Sequence, residues 1–186
     1  GGNGFAVVAA PGWTTSGNIT VVSYTAGGGF PNALTPGPAN RGSNFFGGGV
    51  GAQSFARQSI DLSAAAGDID GGDVGFELSA FLGGFATQDD AASLEVSFLG
   101  IGNAALGTAS IGPVLASDRG GVTSFLSRGT SGFVPAGTRQ VSVTLQMTRA
   151  SGSSNDGYAD NLAFVLSAPV VPPPNGVPEP SALALA

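Results

Sequence analysis

Asn155-Asp156-Gly157-Tyr158-Ala159-Asp160-Asn161-Leu162-Ala163-Phe164-Val165-Leu166 carries a polar turn straight into a strand. Leu162, Phe164 and Leu166 recur with period two, the spacing that sets side chains on one face of a β-strand and against a core. Asp156, Asp160 and Asn161 put oxygens at the strand's entrance, where such a domain can fix a loop or a structural calcium. Upstream, the same period recurs. Val141, Val143, Leu145 and Met147 alternate with Gln140, Ser142, Thr144, Gln146 and Thr148. Val74, Phe76, Leu78, Ala80 and Leu82 face in while Glu77 and Ser79 face out, and Leu94, Val96 and Phe98 oppose Glu95 and Ser97. Further strands are expected over 5–9, 19–24, 52–60, 106–113 and 122–126. About nine short strands between Gly-rich turns predict an all-β fold, a two-sheet antiparallel β-sandwich of jelly-roll type.

Composition narrows the chemistry. The chain has 186 residues, the size of one domain with a real core. Its 32 glycines follow no G-X-Y period, so they read as turn punctuation rather than collagen. Six Lys plus Arg against twelve Asp plus Glu give a net charge of −6, too little positive charge for a basic patch, so neither nucleic acid nor an anionic membrane is an expected partner. No His and no Cys exclude Ser-His-Asp machinery, thiol nucleophiles, disulfides and imidazole or thiolate metal sites. A hard, oxygen-loving ion such as calcium is the metal that the carboxylates leave open. No apolar run reaches the length of a membrane-spanning helix. The chain opens on strand-like sequence at Gly1, the start expected of a mature form whose leader has been removed. Residues 1–168 read as the β-sandwich domain and 169–186 as a stiff, Pro-rich tail.

The loops hold the candidate binding residues. A long Gly/Pro/Asn loop over 26–44 contains Phe30, Asn32, Asn40 and Arg41, a set suited either to a sugar or to a rigid surface loop. Trp13, beside the Pro11-Gly12 turn, is expected to anchor the core at a sandwich edge, with a sugar-stacking platform as the rival reading. Gly47-Gly48-Gly49 lacks the Lys-Ser/Thr ending of a phosphate loop. Asp68, Asp70 and Asp73 sit in a polar turn without the closing acid or flanking helices of a calcium-binding loop. The candidate sugar-binding set is Tyr24, Phe30, Asn32, Arg41, Gln88 and Asp89, with Arg119 and Arg128 in reserve; Asp156 and Asp160 are the candidate calcium ligands. Two acids suffice for glycoside hydrolysis. Glu77 and Glu95 fall on outward faces, however, and adjacent Asp89 and Asp90 point apart, so no enzyme is expected.

The tail closes on Val177-Pro178-Glu179-Pro180-Ser181 and small apolar residues, which resembles the start of a PEP-CTERM sorting signal. That resemblance implies an exported protein of a Gram-negative bacterium, placed at the cell surface, outside the cell or in the periplasm. In that family a hydrophobic helix and a basic cluster follow the motif, so the resemblance covers only the first part of the signal. Gly12-Trp13-Thr14, Gly83-Gly84-Phe85-Ala86-Thr87-Gln88-Asp89-Asp90-Ala91 and Tyr158-Ala159-Asp160-Asn161-Leu162 resemble the domains that precede such signals. Those look like the galactose-binding-like jelly rolls of carbohydrate-binding modules. The resemblance implies structural calcium held by an Asp on the last strand, here Asp160, with an N-terminal acid; Ala6 stands where that acid would be. Two functions are expected. The first is a non-enzymatic structural or accessory subunit of an envelope or matrix assembly, partnered by itself or by other envelope proteins. It fits a composition that is 42% hydrophobic and 10% charged. The alternative is a calcium-stabilised module binding exopolysaccharide.

Overall fold

The computed structural model describes residues 1–167. The Pro-rich tail and its sorting-signal motif lie outside the described residues. Ten strands follow in order: β1 (Thr14–Ser16), β2 (Thr20–Ser23), β3 (Asn44–Gly49), β4 (Gln53–Asp61), β5 (Gly75–Gly84), β6 (Ala91–Leu99), β7 (Ala105–Ile111), β8 (Ser124–Phe133), β9 (Gln140–Thr148) and β10 (Asn155–Ser167). One short helix, α1 (Ala66–Gly71), joins β4 to β5. The strands form two five-stranded sheets, β1-β4-β9-β6-β7 and β2-β3-β10-β5-β8, antiparallel throughout. This is the expected two-sheet sandwich.

The core lies between the sheets and is built by the period-two residues. Leu78 and Leu82 of β5, Leu94 and Val96 of β6, and Val141, Leu145 and Met147 of β9 are buried together. Each such side chain contributes about 1.5–3 kcal/mol on full burial. Phe76, Phe98 and Phe164 close one end, with ring centroids 5.0 and 6.0 Å from Phe76. Trp13 is half-buried at the sandwich edge, its ring 5.6 Å from that of Phe46 in an edge-on arrangement.

A second apolar cluster covers the opposite face of the β2-β3-β10-β5-β8 sheet. Val22 pairs with Phe45, and Tyr158 and Phe125 both pair with Gly83, one residue out of phase with core-facing Leu82. Val22, Tyr24, Phe45, Phe125 and Tyr158 therefore pack on the outside of that sheet, with Phe30, Phe81 and Phe85 against them. The long loop roofs this cluster. Arg41 staples the roof by donating to the carbonyls of Pro38 (3.0 Å), Asn32 (2.8 Å) and Thr35 (2.7 Å), with its guanidinium 5.0 Å from the Tyr24 ring centroid.

Four expectations are corrected. The segment 5–9 is not a strand: Phe5 and Val7 are 57% and 58% exposed. Thr20 intervenes, accepting from the Val8 N–H (2.7 Å) and donating to the Ala6 carbonyl (2.9 Å), so the segment keeps a single main-chain bond to β2, from the Val21 N–H to the Val8 carbonyl (3.1 Å), and forms no continuous ladder. The polar turn over 67–73 is largely α1, whose Asp70 accepts two bonds from the Arg139 guanidinium (3.0 and 2.6 Å). β8 runs on to Phe133, because Gly129 and Gly132 interrupt the side-chain alternation without interrupting the ladder. β10 starts at Asn155, so Asp160 and Asn161 stand inside the strand at a bulge and not at its entrance. Asn161 takes φ +49° there, a left-handed conformation that Asn tolerates, and donates through its side-chain amide to Asn40 (2.8 Å).

Candidate functional site

The two outer faces of the sandwich differ. One is roofed by aromatic rings and loop; the outer face of the β1-β4-β9-β6-β7 sheet is polar and, among the described residues, bare. Antiparallel register lines up Thr14, Arg57, Thr144, Glu95 and Ser110 in one row across all five strands. A second row holds Ser16, Phe55, Gln146 and Ser93, and a third holds Ser59, Ser142, Ser97 and Thr108. These are the polar halves of the alternating patterns whose apolar halves make the core. The rows form the floor of an open trough of about 550 Å³, lined by Phe55, Arg57, Glu95, Ser142, Thr144 and Gln146 among others.

Hydroxyls dominate this floor, and each can donate and accept. Phe55 is its apolar element, and the Arg57 guanidinium lies 5.6 Å from that ring's centroid. Arg57 and Glu95 sit two strands apart, roughly 10 Å at the spacing of a β-sheet. Among the described residues neither has an ion-pair partner. The other five arginines all donate to main-chain carbonyls; Arg57 makes no such bond among the described residues. The trough thus offers one cation, one anion, one ring and a field of neutral donors and acceptors.

The sequence-derived set is distributed elsewhere. Tyr24 is buried, and its hydroxyl donates to Asp160 Oδ2 (2.6 Å); burial, then this carboxylate, push the phenol well above its usual range. Arg41 is the staple described above. Asn32 shapes the loop, its side-chain oxygen accepting from the Leu34 N–H (2.8 Å). Phe30 packs in the roof, its ring 5.3 Å from that of Phe5. Asp89 is exposed and accepts from the Ala116 N–H (3.0 Å), while the side-chain oxygen of Gln88 is buried without a partner among the described residues. Arg119 is buried and donates to the carbonyls of Gly84 (2.9 Å), Ala86 (2.9 Å), Gln88 (2.8 Å) and Val122, and burial lowers its pKa. Arg128 lies near Asp118 at 3.7 Å. Tyr24 and Arg41 are brought together, as are Gln88 and Asp89 with Arg119, but the six do not share one cavity.

Asp156 and Asp160 line different cavities, one beside Phe30 and Phe85, the other beside Trp13 and Phe46. Asp156 Oδ1 accepts from the Tyr158 hydroxyl (3.0 Å); Asp160 accepts from Tyr24 and from the Asn161 N–H (2.7 Å). Among the described residues no three acidic side chains converge. The pair does not fit a shared calcium site. Glu77 and Glu95 stand on different sheets, so they cannot flank one glycosidic bond. Asp90, which the sequence did not single out for binding, is fully buried and accepts from the N–H groups of Ala150 (2.8 Å), Ser151 (3.0 Å) and Asp156 (2.8 Å).

The protein is a two-sheet antiparallel β-sandwich of jelly-roll type, with one polar face uncovered among the described residues. Neither a protein-family model nor a curated protein matches it in sequence. Among solved structures it is similar to the enzymatically active domain of bacteriophage CBA120 tailspike protein 4, with 20% identity, a TM-score of 0.52, and coverage of 89% of this chain and 21% of that one. The chain thus spans about a fifth of that tailspike domain. It is also similar to the CBM22-1 xylan-binding domain of Paenibacillus barcinonensis Xyn10C, with 14% identity, coverage of 88% and 90%, and a TM-score of 0.47. A third is the C-terminal family 22 carbohydrate binding module of Clostridium thermocellum Xyn10B, with 10% identity, coverage of 90% and 96%, and a TM-score of 0.46. Among the described residues no helix is long and apolar enough to cross a membrane.

Proposed function

We propose that this chain is a non-catalytic carbohydrate-binding domain, and that a polysaccharide lies in the trough on the β1-β4-β9-β6-β7 sheet. The observation that carries this reading is the hydroxyl-rich row of side chains from Thr14 to Ser110. A sugar chain presents alternating hydroxyls and small C–H patches. Ser, Thr and Gln side chains match the first, and Phe55 matches the second. Arg57 and Glu95 fix orientation by charge-assisted hydrogen bonds, which are stronger than neutral ones. The trough is open at the surface, as a long chain would need. The protein is read as exported, on the resemblance of the tail to a sorting signal.

The test is affinity electrophoresis and calorimetry against a panel of soluble neutral and acidic polysaccharides. Binding to at least one is expected. Arg57→Ala, at an exposed position, is expected to weaken it about tenfold or more, the loss of one hydrogen bond from a charged group, with the unfolding midpoint unchanged. No binding across the panel, or binding untouched by both Arg57→Ala and Glu95→Gln, refutes the assignment.

The assembly reading has its own observation. Among the described residues β8 is an edge strand paired only with β5, and Phe133 at its end is 72% exposed. Such an edge can add a strand from another molecule. Light scattering decides between the two readings: a concentration-dependent oligomer lost on Phe133→Lys favours the subunit role, and a monomer at all concentrations removes it.

A further inference from the structure

A small cavity of about 160 Å³ is lined by Phe5, Phe30, Phe85, Tyr158, Ser154 and Asp156 around Gly28 and Gly29. Its walls are aromatic. The Phe5 and Phe30 rings meet edge-on at 5.3 Å, and the Phe30 and Tyr158 centroids are 6.2 Å apart. Gly28 and Gly29 take φ of +63° and +90°, and a Cβ on Gly29 would stand 3.4 Å from the Phe85 ring. One on Gly28 would stand 3.8 Å from the Phe5 ring. The two glycines let the loop pass while leaving the space between the rings clear.

One charge faces this space. Asp156 lines the cavity, and among the described residues Tyr158 is the sole side chain bonded to it, through Oδ1. Among the described residues it has no ion-pair partner. Burial, and the nearby Asp90, hold its carboxyl above the usual range, whereas the bond from Tyr158 works the other way. A carboxylate beside four aromatic rings, with Ser154 the one further polar side chain besides the Tyr158 hydroxyl, is a poor place for a sugar, which needs several neutral donors and acceptors. It is a good place for a cation that carries methyl groups. Ring faces attract a positive charge without requiring hydrogen bonds, and the carboxylate neutralises it. The volume is well below that of a pocket for a drug-sized molecule, so the ligand is a headgroup rather than a large molecule.

We propose that this cavity is a binding site for a trimethylammonium or similar methylated ammonium group. The site is independent of the trough, since Asp156 and Arg57 stand on different sheets.

Amide chemical shifts of the labelled protein, followed during titration with choline chloride, test this. Parallel titrations use 3,3-dimethyl-1-butanol, which has the same shape without the charge, and sodium chloride. Choline is expected to shift Gly28, Gly29, Phe85 and Asp156 saturably, and the neutral isostere to bind at least about fivefold more weakly. Asp156→Asn keeps an oxygen to accept from Tyr158. It is expected to weaken choline about fivefold or more, with its unfolding midpoint and any polysaccharide binding retained. Co-sedimentation with phosphatidylcholine but not phosphatidylglycerol vesicles would assign the group to a lipid headgroup; choline binding without it would assign a free cation. The proposal is overturned if choline and its isostere shift the same signals equally, if choline acts only as salt does, or if Asp156→Asn binds choline like the parent.

Discussion

Asp89 and Asp90 are neighbours with the same side chain, and the structure assigns them opposite weights. Asp90 is fully buried and accepts three main-chain N–H bonds at 2.8, 3.0 and 2.8 Å from Ala150, Ser151 and Asp156. Those donors belong to the turn that leads from β9 into β10, so one carboxylate fixes both ends of it. Asp90→Ala removes all three acceptors. Bonds to a charged group are worth about 1.5–3 kcal/mol each, so three independent losses would come to roughly 4.5–9 kcal/mol. The donors are only partly buried, so water replaces part of each bond, and the variant no longer desolvates a carboxylate. A net cost of about 3 kcal/mol is therefore expected, which in a domain of this size lowers the melting temperature by about 6–12 °C. Asp89 is exposed and accepts one N–H, from Ala116, so Asp89→Ala should cost no more than about 1 kcal/mol. Urea unfolding of both variants at neutral pH, followed by the fluorescence of Trp13, measures the difference. If Asp90→Ala costs less than about 1 kcal/mol, or no more than Asp89→Ala, the turn is held by something other than this carboxylate.

Both tyrosines have phenols pushed far up, chiefly by burial and then by the carboxylate beside each. Folded Tyr24 and Tyr158 keep their protons where an unfolded tyrosine, with a pKa of about 10, loses its own. Their share of stability is thus fully present below that pH and is lost as pH rises beyond it. Phenolate absorbance should appear only together with unfolding; a smooth rise in the native protein near pH 10 would contradict the buried placement. Gly83→Ala should destabilise by 2 kcal/mol or more, on the order of an overpacked core, because a Cβ there would overlap the Ser124 carbonyl across the ladder. Gly67→Ala, on α1 with nothing near its Cβ, should instead stabilise by about 0.5–1 kcal/mol. Chelation with EGTA should leave the melting temperature unchanged, since Asp156 and Asp160 are committed to tyrosines and line separate cavities; a fall on chelation would show that main-chain oxygens complete a site.

The sandwich was legible because β5, β6 and β9 each have one long, unbroken ladder, β5 with β8 and β6 with β9, and a clean alternation. Val74 to Leu82 and Val141 to Met147 announce both their length and their buried face. Segment 5–9 misleads because apolar composition says nothing about whether a full ladder partner exists, and the Thr20 side chain and one Val21 N–H supply its bonds instead. β8 was read short because its glycines carry no face. The residues of the trough were visible as outward-facing: Glu95, Ser97, Ser142 and Thr144 all stand at the polar phase of a strong pattern. Periodicity cannot tell which of two outer faces a loop will cover. That depends on where the 26–43 segment lands, and it lands through Arg41 and Tyr24, contacts with no local signature. The loop residues that looked suited to a ligand are largely engaged in holding this roof.

The distribution of guanidinium bonds has a consequence for labelling. The sequence contains no lysine, so reagents aimed at side-chain amines find none. Dicarbonyl reagents that condense with arginine meet five guanidiniums tied to carbonyls and one, Arg57, exposed and making no such bond among the described residues. Arg57 should therefore be the first adduct on the native protein, and it lies on the floor of the trough. A peptide map of phenylglyoxal adducts with and without glycan gives a footprint of that floor with a single natural reporter and no mutation.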